Sequence, residues 1–126
     1  QHPTHPEFAD AQNTPYLNSG VVVKFNANQR YATDAVSAAA FRLLCRETGE
    51  ETQTYANRSD LPGGSTLGSI SDTRVAVPTV DIGLAQLAMH SAYETMGARD
   101  LDSLVRVMTA YFGRTPRRNA GAIQLT

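Results

Sequence analysis

Few residues in this 126-residue chain can do chemistry, and they are widely spaced: three histidines (His2, His5, His90), one lysine (Lys24) and one cysteine (Cys45). His90 closes the run VDIGLAQLAMHS from Val80 to Ser91, which reads as a short buried strand opening into a Gly-containing loop. Open α/β sheets build their sites just past buried strands, and neutral imidazole is the commonest metal ligand. One histidine does not make a site, because zinc needs three or four protein ligands. His2 and His5 lie three apart in HPTHP, but the prolines oppose the helix on which that spacing could chelate. They read instead as a loop whose polar groups face a cleft.

Lys24 sits inside the apolar strand VVVKFN, where an ammonium is costly unless paired or near water. Two readings stay open: a side chain snorkelling to the sheet edge, or a cation set to meet a carboxylate. Tyr31, in NQRYAT, precedes a helix; its ring can pack with the hydroxyl at a rim, or present a donor to whatever Lys24 faces. Gly63, Gly64, Ser65 and Thr66 precede a short helix, where backbone N–H groups can hold an anion. Their spacing fits neither a dinucleotide fingerprint nor a P-loop, so an ordinary capped helix start is the simpler account. Cys45 lies on the apolar side of a helix and reads as inert core.

The elements that position these residues are legible in part. Residues 1–19 hold three prolines and no period, and read as extended chain. Val21 to Asn26 reads as a strand with Val21, Val23 and Phe25 on one face and Val22, Lys24 and Asn26 on the other. A helix follows, capped by Thr33 or Asp34, with an apolar stripe of Val36, Ala39, Ala40, Leu43 and Leu44, and stopped by Gly49. TQTYA (Thr52 to Ala56) reads as a second strand, Ser65 to Thr73 as a short helix, and Val75 to Ile82 as a third strand made irregular by Pro78. A last helix carries Leu101, Leu104, Val105, Met108, Tyr111 and Phe112, with Asp100 as its cap and Gly113 as its stop. From Arg114 the sequence is basic and aperiodic. The expected organisation is therefore residues 1–113 as the folded part and 114–126 as a loosely ordered basic tail.

Strands alternating with helices imply an α/β fold with a mostly parallel sheet and helices on both faces. Three strands make a thin sheet, so the chain reads as part of a larger domain. Hydrophobic content of 41% and charged content of 18% are those of a globular protein, and the net charge of −1 gives no reason to expect nucleic acid or an anionic membrane. No apolar run approaches the ~20 residues of a membrane span. A single cysteine excludes an intrachain disulfide framework and fits a reducing, cytoplasmic compartment. The start on Gln1 suggests a fragment or a processed product.

Four motifs in order, HPTHPEFAD, VVVKFNANQRYAT, PGGSTLG and VDIGLAQLAMHS, resemble the C-terminal part of the aspartyl aminopeptidases, co-catalytic zinc metallopeptidases. The resemblance runs from His2 to about Phe112. It implies that His90 is a terminal zinc ligand and that Lys24 and Tyr31 line the substrate pocket. Lys24 would pair with the side-chain carboxylate of an N-terminal Asp or Glu, and Tyr31 would donate to the scissile carbonyl or its oxyanion. The family's remaining zinc ligands and its general-base glutamate belong to earlier segments, so no catalytic base is expected within this chain. Thr4, His5 and Phe8 depart from the family pattern.

The function so implied is removal of N-terminal acidic residues from peptides by water activated on two zinc ions, in a large homo-oligomer. The isolated chain is expected to be inactive and to need the missing N-terminal portion of the same protein. One rival is a family member that prefers neutral residues, with Lys24 serving another purpose. The other is a non-catalytic structural or interaction module that keeps the fold without the chemistry.

Overall fold

The β-branched run after Gly20 forms β1 (Val21–Phe25), and its neighbours set the frame for everything else. The computed structural model describes residues 4–120 and 122–126, so His2 and any chelating role for it lie outside the described residues. After β1 come α1 (Ala35–Glu47) and β2 (Thr52–Ala56), which pairs with β1 in parallel from Val21↔Thr52 to Phe25↔Ala56. Further along are α2 (Leu67–Asp72) and β3 (Ile82–Gly83), which pairs antiparallel with β1 through Val22↔Gly83 and Val23↔Ile82. The sheet order is thus β2-β1-β3, a mixed α/β arrangement in which the longer pairing is parallel. A hairpin of β4 (Gln86–Leu87) and β5 (Thr95–Met96) leads into α3 (Ala98–Phe112).

Local chemistry explains the first half of the fold. Asp34 caps α1 as a capping box: its carboxylate accepts from the Ser37 N–H at 2.7 Å and the Ser37 hydroxyl accepts from the Asp34 N–H at 3.1 Å. Gly49, at φ +75°, ends the helix in the left-handed region. Val21 and Val23 point into a cluster with Ala38, Phe41, Leu44 and Cys45 of α1 and Val107 of α3. Both long helices therefore share one face of β1, and the short α2 lies at the other. The opposite face carries Lys24 and Tyr55 and is flanked by the loop before α1 and by the start of α2, whose Gly68 touches the Asp81 carboxylate.

Other expectations change. The run from Val75 yields a strand only at Ile82, because Pro78 offers no N–H and the Val75 N–H turns back to the Ser71 carbonyl at 2.8 Å. Gly97, not Asp100, occupies the cap of α3; Asp100 is fully buried and accepts from the Asn18 N–H (2.7 Å) and the Gly20 N–H (2.9 Å). The helical stripes are also rotated. In α1 the buried residues are Ser37, Ala38, Phe41, Leu44 and Cys45, while Val36 and Leu43 are exposed; in α3 Val107 is buried, while Leu101, Val105 and Phe112 are exposed. Beyond Gly113, where loose chain was expected, β6 (Pro116–Asn119) and β7 (Ala122–Leu125) form an antiparallel hairpin, and Leu125 packs against the core.

Candidate functional site

Lys24 and Tyr31, far apart in character but seven positions apart in sequence, meet on the face of β1 opposite the core. The Lys24 ammonium lies 5.7 Å from the centre of the Tyr31 ring. Tyr55, the register partner of Lys24 on β2, completes the group, with its ring centre 6.3 Å from that of Tyr31. Gly83 on β3 makes room for the lysine: a Cβ there would stand 2.7 Å from Lys24 Cε and 3.1 Å from its Nζ. Among the described residues no carboxylate lies within ion-pair distance of Lys24. The result is a half-buried cation beside two phenols. Burial raises the Tyr31 hydroxyl above the usual tyrosine range, helped by Tyr55 and by the Asp81 carboxylate. Burial also raises Tyr55. Both hydroxyls are therefore proton donors at neutral pH.

Asp81 holds this group together. Its carboxylate accepts from the Ala32 N–H (2.8 Å) and from the Thr66 hydroxyl (2.6 Å), its own N–H donates to the Thr33 hydroxyl oxygen (2.8 Å), and its carbonyl accepts from the Lys24 N–H (2.9 Å). One buried residue just before β3 thus ties β1, the Tyr31 segment and the loop before α2. In that loop the Thr66 hydroxyl is committed to Asp81, and Gly63 is needed because a Cβ there would stand 2.2 Å from Asn57 Nδ2. Sequence reasoning missed Tyr55, Asp81 and Gly83. The signal for Asp81 was a charged residue entering an apolar strand, VDIG.

His90 takes part in none of these contacts and is exposed in the turn between β4 and β5. Its backbone is left-handed at φ +67°, as is that of Ala88 at +52°, and such non-glycine conformations carry strain that clusters at functional sites. The turn is tied by the Ser91 N–H to the Ala88 carbonyl at 3.0 Å and by the His90 N–H to the Glu94 carboxylate. Among the described residues no three His, Cys, Asp or Glu side chains gather as a metal site. His90 thus offers at most one donor. His5 is engaged elsewhere, its Nδ1 2.8 Å from a Glu7 carboxylate oxygen and its ring against Phe8. Cys45 is fully buried in the core, and burial pushes its thiol up to about 11.

Residues 1–112 match the family described as aminopeptidase I zinc metalloprotease (M18). The chain belongs to this M18 aminopeptidase family. It is similar to a protein of Mycobacterium leprae (strain TN) called probable M18 family aminopeptidase 2, at 45% identity over 88% of this chain and 26% of the relative. The same description goes with a Mycobacterium tuberculosis (strain ATCC 25618 / H37Rv) protein at 46% identity, over 87% of this chain and 26% of that one. Among solved structures, the cryo-EM structure of the Ape4 and Nbr1 complex superposes with a TM-score of 0.85 at 33% identity, over 88% of this chain and 21% of that one. The S. cerevisiae mApe1 dodecamer superposes at 0.74 with 28% identity, over 88% and 24%. The chain therefore spans about a quarter of the length of the relatives it matches. For an M18 zinc centre its donor set fits only as a minority share: an exposed imidazole on a constrained turn suits one ligand, and among the described residues it belongs to no group of three or more donors.

Proposed function

We propose that this chain is the C-terminal part of an M18 aminopeptidase catalytic domain that removes N-terminal Asp or Glu from peptides. The observation that carries the acidic preference is Lys24: a half-buried ammonium with no carboxylate partner among the described residues, kept clear by Gly83. A desolvated cation of this kind is completed by a carboxylate, and the side chain of an acidic first residue supplies one. Tyr31, held protonated, donates a hydrogen bond to the scissile carbonyl as it gains negative charge. His90 is one terminal ligand of a two-ion zinc centre completed by residues outside this chain. Zinc, when bound, supplies an acidified water as nucleophile. The peptide substrate, the rest of the polypeptide and further copies of it in a homo-oligomer are the partners, in the cytoplasm, where the free thiol of Cys45 stays reduced.

Inactivity of the isolated chain follows from the same donor set. The test compares the 126-residue chain with the longer protein that carries it, on Asp-, Leu- and Met-p-nitroanilide with zinc. Zinc-dependent turnover is expected from the longer protein alone, fastest on the acidic substrate. Turnover of Asp-p-nitroanilide by the 126-residue chain, or a preference of the longer protein for Leu, would overturn the reading.

A further inference from the structure

We infer that Asp81 is a positioning residue for the aminopeptidase reaction, fixing Tyr31 against the strand that carries Lys24; this rests on the function proposed above. The geometry is specific. The Asp81 carboxylate takes the N–H of the peptide bond that joins Tyr31 to Ala32, and its own N–H is taken by Thr33, so the two residues after Tyr31 are gripped by a single residue. The Asp81 carbonyl meanwhile accepts from the Lys24 N–H, so the grip is referred directly to β1. The second carboxylate oxygen is occupied by Thr66, and Gly68 passes so close that a Cβ would stand 2.7 Å from Asp81 Oδ2. At 8% exposure the carboxylate has little access to water, so its partners are these.

Tyr31 needs such a device. It lies in a turn outside any helix or strand, between β1 and α1, with Gln29 just before it at φ +58°. A donor on an irregular segment drifts unless it is tied, and a displacement of about 1 Å can cost about 100-fold in rate. Asp81 supplies the tie from the backbone side of Tyr31 and leaves the hydroxyl free to act.

The test is a double-mutant cycle in the zinc-loaded longer protein on Asp-p-nitroanilide. Asp81→Ala is expected to lower kcat by about 10- to 100-fold with KM within about threefold, because it displaces a transition-state donor. In a Tyr31→Phe background the same substitution should cost less than about twofold, since the donor it positions is already gone. An equal penalty in both backgrounds means a general structural role and overturns the inference. Asp81→Asn keeps an acceptor for the Ala32 N–H, and its amide can donate to Thr66, so it should stay within about threefold of wild type. If Asp81→Ala does not fold, Thr33→Val severs the second of the two ties that follow Tyr31 while leaving Asp81 and its bond to the Ala32 N–H in place. It is judged by the same cycle, with a smaller loss expected. Amide exchange gives a second readout without turnover: the Ala32 N–H should exchange faster in the Ala variant and at the wild-type rate in the Asn variant. Unchanged exchange in Asp81→Ala also overturns the inference. Lys24→Met separates the two claims. Loss of acidic preference in that variant, together with additive Asp81 effects, leaves the proposed function standing and removes only the positioning role.

Discussion

Replacing Lys24 by Met removes the charge while keeping an unbranched stem of similar length, so it isolates electrostatics from packing. Two costs must be separated. The ammonium sits 5.7 Å from the Tyr31 ring centre, and a contact of that kind is worth about 0.5–1 kcal/mol. Its loss weakens the pocket for every substrate alike, by about two- to fivefold. The charge pair with an acidic substrate is larger. Truncating one member of a desolvated pair costs about 2–5 kcal/mol, and a half-buried position such as that of Lys24 belongs at the low end. About 2–3 kcal/mol is about 30- to 140-fold in kcat/KM, borne only by the substrate with a carboxylate. The acidic-over-neutral ratio should therefore fall by well over tenfold. The assay is kcat/KM of wild type and variant on Asp-, Leu- and Met-p-nitroanilide at fixed zinc and modest salt. Equal losses on all three refute the reasoning, because they mean the ammonium supports the pocket without reading the substrate.

Two further outcomes follow from the buried groups. Asp100→Ala strips two backbone N–H groups, those of Asn18 and Gly20, of a buried charged acceptor, which should cost about 3 kcal/mol or more; faster exchange of the Gly20 amide and a lowered Tm would register it. Cys45 has its thiol pushed from 9.0 to about 11, so the folded state resists ionising it; stability is full below about 9 and is lost as pH rises toward 11, and native alkylation at pH 8 should be far slower than in urea.

The parts of the fold that were legible in the sequence are those set by local chemistry. β1, α1 and β2 follow from a β-branched run, the Asp34 cap and Gly49, and each forms where expected. Lys24 and Tyr31 were also legible as a pair, since strand alternation puts Lys24 off the core face and Tyr31 lies in the connection that follows. Residues brought in by strand pairing were not. Tyr55 reaches Lys24 only through the parallel register of β1 and β2, and Gly83 reaches it only because β3 runs antiparallel. Register is a tertiary property that one sequence does not display. Asp100 was misread for a related reason: an acidic residue near a helix start fits a cap, and only the approach of residues 18–20 makes it a buried acceptor.

The rotated helical stripes bear on what this chain is part of. In α1 and α3 the sequence offers two apolar faces, and the cluster around Val21 and Val23 takes only one from each. Val36 and Leu43 on α1, and Leu101, Val105 and Phe112 on α3, remain exposed. A helix apolar on two sides belongs to a setting with cover on both. A chain that leaves two such faces open presents the surfaces that a layer of a larger body would, in keeping with the function proposed above. The groups to which the proposed function gives roles repeat this division. Lys24, Tyr31 and Asp81 form a wall whose backbone ties run through Asp81, with the Lys24 ammonium and the Tyr31 hydroxyl left for a ligand, whereas His90 offers a single imidazole from a strained turn. A pocket wall can be finished by one segment because its contacts are local; a metal centre that draws its ligands from several segments cannot. On the proposed function, the 126-residue chain should therefore bind no zinc at His90 by titration while the Ala32 N–H, tied to Asp81, stays protected from exchange.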